Sequence, residues 1–159
     1  MSKDAISADA VFLINRVKVH TDFHGPFESG LAKMLVIGLG KHRGAVHAHQ
    51  RGSATFEKTV PEALDRILRK VKVLGGLAVI ENAREEIALL EVVPGPDIPR
   101  RELLLLERSR QLLPRLHFDN LDVLVVDYMG KNLSCSGLDQ NGTGRYFVRH
   151  IANEETRNP

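Results

Sequence analysis

Cysteine is nearly absent from this chain. Cys135 is the only one in 159 residues, which excludes an internal disulfide framework and any four-cysteine metal site. No apolar run reaches the roughly 18 to 20 residues that a membrane-spanning helix needs. The opening MSKDAISADA lacks a basic region followed by an apolar core, so no secretory signal is expected. A cytoplasmic location without membrane attachment follows as the default. Also missing are a Gly-x-Ser-x-Gly elbow, a paired-carboxylate signature, a Walker A loop and a Gly-x-Gly-x-x-Gly turn after a strand. The net charge of +2 is too small to indicate a nucleic-acid partner.

What remains reads as a globular domain, with 43% hydrophobic and 26% charged residues. Residues 1–153 are expected to form one domain and 154–159 a disordered tail. Charge is not spread evenly. Residues 1–52 carry seven Lys and Arg against four Asp and Glu, together with five of the seven histidines. A mildly positive, histidine-rich segment suits a small anionic ligand or a metal better than a long polyanion.

Strand-like and helix-like stretches alternate. AVFLINRVKV (10–19) begins as a continuous apolar run, as in a strand buried on both faces, and Arg16 and Lys18 share one side where it leaves the core. After a loop marked by Gly25 and Pro26, Ser29 is positioned to cap a short helix ending near Leu39. Residues 59–72 give a further helix. Thr59 and Glu62 form a capping box, Pro61 suits the first turn, and Leu64, Ile67, Leu68 and Val71 make one buried stripe. LAVIEN (77–82) and EIALLEVV (86–93) read as strands joined by a tight antiparallel turn, followed by a helix from about Pro99 to Leu113. LDVLVVD (121–127) reads as another buried strand. The expectation is an α/β layered domain with a mixed, largely buried β-sheet flanked by helices.

Candidate chemistry gathers in SGLAKMLVIGLGKHRGAVHAH (29–49) and just before it. On spacing alone, Lys33 is a surface lysine whose stem covers apolar neighbours. The surrounding glycines favour a partly desolvated amine able to act as nucleophile or anion ligand. His20 and His24 flank a turn just past a strand end, where sites gather in α/β folds, and Asp22 could orient either ring. His47 and His49 share a side only if their segment is extended. In the glycine-rich loop 130–145, backbone N–H groups could cradle a phosphate or carboxylate, with Lys131 or Arg145 adding charge and Asp127 pointing at the same cleft. Taken as a solvated connector, that loop has no ligand at all.

NRVKVHTDFHGPFESGLAKMLVIGLGKHRGAVHAH resembles the lysine-centred segment of the nickel-dependent lactate racemase family. The match is closer to that family's uncharacterised racemase-like branch, and DYMGKNLSCSGLDQNGTGR resembles the glycine-rich segment of the same relatives. The resemblance rests on Ser29, Gly30 and Lys33, with His49 sixteen residues after the lysine. It implies a nickel-pincer nucleotide anchored on Lys33, nickel coordination by His49, and His20 as acid and base at the hydroxyl of a 2-hydroxy acid, with His24 the competing candidate. The activity implied is a racemase- or epimerase-like one, the cofactor exchanging a hydride at the α-carbon. Leu31 and Ile37 depart from the lactate racemase pattern, which has Gly and Pro there. Family members are also longer, so either a fragment or a reduced relative needing a companion segment is expected, and exposed strand edges would permit a homodimer. A looser likeness, through Asn15, Lys18 and Lys33, is to an iron–sulfur-associated family of unknown function. The alternative to catalysis is a non-catalytic or inactive anion- or nucleotide-binding fragment.

Overall fold

The computed structural model describes residues 1–21, 23–50, 56–118, 120–129 and 139–143, and for 47–50 the backbone alone. The order is α1 (Lys3–Ser7), β1 (Val11–Arg16), α2 (Leu31–Lys33), α3 (Lys41–Gln50), α4 (Phe56–Lys70), β2 (Val73–Glu81), β3 (Ile87–Pro94), α5 (Ile98–Gln111) and α6 (Gln140–Thr143). A π-helical turn, Met34–Gly38, continues α2, and a 3-10 turn, Gly95–Asp97, leads into α5. The strands form a mixed sheet in the order β1-β2-β3. β1 and β2 are parallel and β2 and β3 antiparallel. This is the expected α/β arrangement.

The hairpin is the most local part of the sheet. Asn82 closes its turn, its side-chain oxygen accepting from the amides of Arg84 and Glu86, as Asx turns do. Alternation then sorts the side chains. Leu13, Gly76, Ala78, Ile80 and Val93 face the helices and are buried. Leu31, Leu35, Val60, Leu64, Ile98, Leu105 and Leu106 meet them from the helical side. Arg101 on α5 clamps this layer to β3 through Glu91, with Nη2 2.8 Å from Oε2.

Four expectations need correcting. β1 is buried on one face only, since Phe12 and Ile14 are 50% and 67% exposed. A continuous apolar run does not by itself distinguish one-sided from two-sided burial. Secondly, α4 begins at Phe56, so Thr59 is no cap and Pro61 lies inside the helix. Buried Phe56 packs edge-on against Phe23 with ring centroids 5.0 Å apart, and this contact lets the helix start before its capping signal. Thirdly, Ser29 does not cap α2, whose N-cap is Gly30 without a side-chain bond. Finally, LDVLVVD forms no strand, and Val123 and Val125 are 76% and 82% exposed. Its composition suits a strand, but no neighbour pairs with it among the described residues. The expected tail, 154–159, lies outside the described residues.

Gly76 sets how closely α2 approaches the sheet. A Cβ there would sit 2.8 Å from Leu31 Cδ2 and 3.0 Å from Leu13 Cβ, both in the packed core. Gly76→Ala is therefore expected to destabilise the domain by about 1–3 kcal/mol through overpacking, measured as a lower midpoint in urea unfolding followed by circular dichroism.

Candidate functional site

Residues 17–30 carry the chain from the end of β1 to α2. Val17 continues the sheet through a 2.8 Å bond to Val79, and Lys18 and Ser29 then exchange backbone hydrogen bonds of 2.9 and 3.2 Å. That bridge closes the loop between them. Val19, Phe23 and Phe27 fill its interior and are buried.

Glu28 is the polar centre of the loop, with its side chain fully buried. Its carboxylate accepts from the His20 amide at 2.6 Å, the Gly25 amide at 3.4 Å and Arg110 Nη2 at 2.5 Å. His24 Nδ1 lies 3.3 Å from both oxygens. An ionised carboxylate can only accept, so Nδ1 carries its proton toward Glu28. Burial pushes the Glu28 pKa up, but the bonds from His24, the His20 amide and Arg110 outweigh it, leaving the group below the ordinary carboxylate range. Asn141 on α6 reaches the same loop, donating to the His20 carbonyl at 3.3 Å.

Glu102 on α5 caps the start of α2. Its carboxyl is buried against the backbone and accepts from Ala32 N–H at 3.0 and 3.3 Å and from Leu31 N–H. Gly30 makes the approach possible, since a Cβ there would fall 2.5 to 2.9 Å from the carboxyl atoms. Burial raises Glu102 to about 7, against the smaller lowering effect of the two amides.

These supports place Lys33 and shape an open cleft beside it. Asn15, Arg16, Lys18, Ser29, Lys33, Met34, Ile37 and Gly38 line about 320 Å³. Arg16, Lys18 and Lys33 all line it, and no carboxylate does so among the described residues. Arg16 is held by Glu81 at 2.9 Å. Lys33 Nζ lies 4.9 Å from the Phe23 ring centroid, and the His20 ring lies 4.3 Å from the same centroid. Asn15 Nδ2 donates to the Gly30 carbonyl at 2.7 Å, tying β1 to the helix start.

Among the expected site residues, His20, His24, Ser29, Gly30 and Lys33 therefore come together around one loop. Their positions differ in kind. Ser29 and Lys33 line the cleft, His20 approaches Lys33 through Phe23, His24 turns inward to Glu28, and Gly30 packs on Glu102. His49 and His47 lie on helix α3 with their side chains outside the described residues. Lys131 and Arg145 also lie outside the described residues. Among the described residues no group of three or more His, Cys, Asp and Glu could hold a metal. Sequence reasoning missed Glu28, Glu102 and Arg110 as supports. It saw Arg16 and Lys18 on one side without linking them to Lys33.

Glu102 gives the fold a definite pH dependence. Its folded pKa, about 7, lies above the ordinary 4.5, so the folded chain holds a proton that the unfolded chain releases. Stability should be unaffected by this group below about pH 4.5 and fall as pH rises through 7, by at most about 3 kcal/mol. Glu102→Gln keeps an acceptor for the amides and cannot ionise. It should flatten that part of the profile in urea unfolding at pH 5 to 8. Arg110→Met, which removes a donor from buried Glu28, should cost about 1–3 kcal/mol at pH 7 in the same assay. Compared with family models, curated proteins and solved structures, the chain matches none.

Proposed function

We propose that the cleft beside Lys33 binds a small organic anion, a carboxylate or a phosphate monoester. The observation that carries this reading is that Arg16, Lys18 and Lys33 line one cleft without a lining carboxylate among the described residues. Lys18 and Lys33 share the cleft with Arg16, which Glu81 already holds, and an anion there would accept charge-assisted hydrogen bonds from the lysines. Met34, Ile37 and Gly38 supply an apolar wall opposite the charges, which suits a carbon-bearing anion. In calorimetry at low salt, phosphate and lactate should both give measurable heat, weakened by added salt. Lys33→Met and Lys18→Ala should each weaken binding by about tenfold or more. Absence of heat with every anion tried would reject the reading.

A second reading makes the same lysine the anchor of a nickel-pincer nucleotide in a racemase- or epimerase-like domain for a 2-hydroxy acid. It is favoured by His20 and Lys33 both lying against the Phe23 ring. The cationic lining suits the phosphate of such a nucleotide, whereas no group of three or more metal-ligating side chains occurs among the described residues. When bound, the cofactor would supply a hydride acceptor at the substrate α-carbon. The chain's own part would be to hold the substrate carboxylate with Lys18 or Arg16 and to move the hydroxyl proton. His20 suits that last task better than His24, whose Nδ1 is committed to buried Glu28. Co-expression with cofactor-making enzymes followed by intact mass and nickel analysis tests this reading. Unmodified Lys33 without nickel would remove the cofactor and leave anion binding standing.

A further inference from the structure

The helices cover one face of the sheet, and the other is apolar and uncovered among the described residues. Strand alternation places Phe12 and Ile14 of β1, Leu77 and Val79 of β2, and Leu90 and Val92 of β3 on that face. Phe12, Ile14, Leu90 and Val92 are 50 to 67% exposed. Leu77 and Val79, in the central strand, are shielded only in part by the neighbouring rows. The register makes the six contiguous: Ile14 pairs with Leu77, which pairs with Val92, and Val79 pairs with Leu90. Solvated antiparallel faces normally alternate to polar residues. Here most outward positions are aliphatic or aromatic; Gly75 lies opposite Phe12, and Arg16, opposite Val79, holds Glu81 at 2.9 Å where the face ends.

We infer that this face is an interface between two copies of the chain, packed sheet against sheet. Three features favour a second copy as the occupant. An isologous contact brings the same surface to both sides, and an apolar face is complementary to itself. The charges at the end of the strands, Arg16 and Glu81, hold each other, so a second copy meets a paired arginine there. A strongly charged partner would find nothing to match. The size also suits. Six such side chains offer roughly 500 Å² per copy, near the ~1,000 Å² total that a specific interface needs and more than isolated monomers usually expose in one patch. Two sheets stacked about 10 Å apart would interdigitate Phe12, Ile14, Val79 and Val92 as in a β-sandwich. The cleft at Lys33 shares Arg16 with the end of this face, and the inference does not depend on the anion reading.

Sedimentation equilibrium of the full chain from about 1 to 100 µM should show a monomer–dimer equilibrium. Ile14→Lys and Val92→Lys lie on the side away from the core. Each should leave the far-ultraviolet circular dichroism unchanged and weaken association at least tenfold. Should the lysine variants not fold, Val79→Cys in a Cys135→Ser background gives an independent reading. A bifunctional maleimide spanning about 10 Å should cross-link it to a dimer, while Lys70→Cys in the same background should not cross-link. A wild-type chain that stays monomeric, a dimer that survives both lysine substitutions, or open-ended polymerisation would each overturn the inference. A monomeric result would assign the face to a different partner.

Discussion

One contact organises the region that carries the candidate site: the Glu102 carboxyl set against the start of α2. Helix starts expose N–H groups with no intrahelical partner, and a short side chain at the cap usually satisfies them. Here the cap is Gly30, which has no side chain to offer, and a carboxyl seventy residues away takes the amides instead. The consequence is mechanical as well as electrostatic. α5 cannot shift without moving α2, and α2 cannot shift without moving Lys33. Arg110, two turns further along α5, fastens the preceding loop through Glu28. A single helix thus fixes both ends of the segment bearing His20, His24 and Lys33.

The two buried carboxyl groups behave in opposite ways for a clear reason. Both are desolvated, which favours the neutral form. Glu28 has a guanidinium, an imidazole and backbone amides around it, and these prevail. Glu102 has backbone amides alone, and desolvation prevails. The first stabilises the loop as an anion over the ordinary pH range. The second is best tolerated with its proton on. Near neutrality the site is therefore braced by one charged and one partly neutral carboxyl, while the cleft itself is lined by cations.

How much of this the sequence discloses depends on how far apart the partners lie. The β2–β3 hairpin was legible because alternation and the Asn82 turn are local. The Leu64, Ile67, Leu68 stripe of α4 was legible for the same reason, though its start was not, because Phe56 is drawn in by Phe23 from another element. The glycines around Lys33 were read as room for a ligand, and at Gly30 that room holds the Glu102 carboxyl. In the stretch RREL, Glu102 looks like an ordinary surface charge. LDVLVVD shows the converse: composition proposes a strand, but a strand exists only where another chain segment offers its edge.

The long reach of Glu102 also orders events in time. A ribosome delivers residues at roughly 5 to 20 per second, and β1 emerges well before its parallel partner β2, which begins at Val73. β1, the loop and α2 are thus made early, yet the groups that fasten them, Glu102 and Arg110, are made late. The hairpin and α5 complete the architecture that the first third of the chain requires. For several seconds the nascent chain displays the residues of its cleft without having a cleft. The segment with the richest chemistry leaves the ribosome before the residues that fasten it.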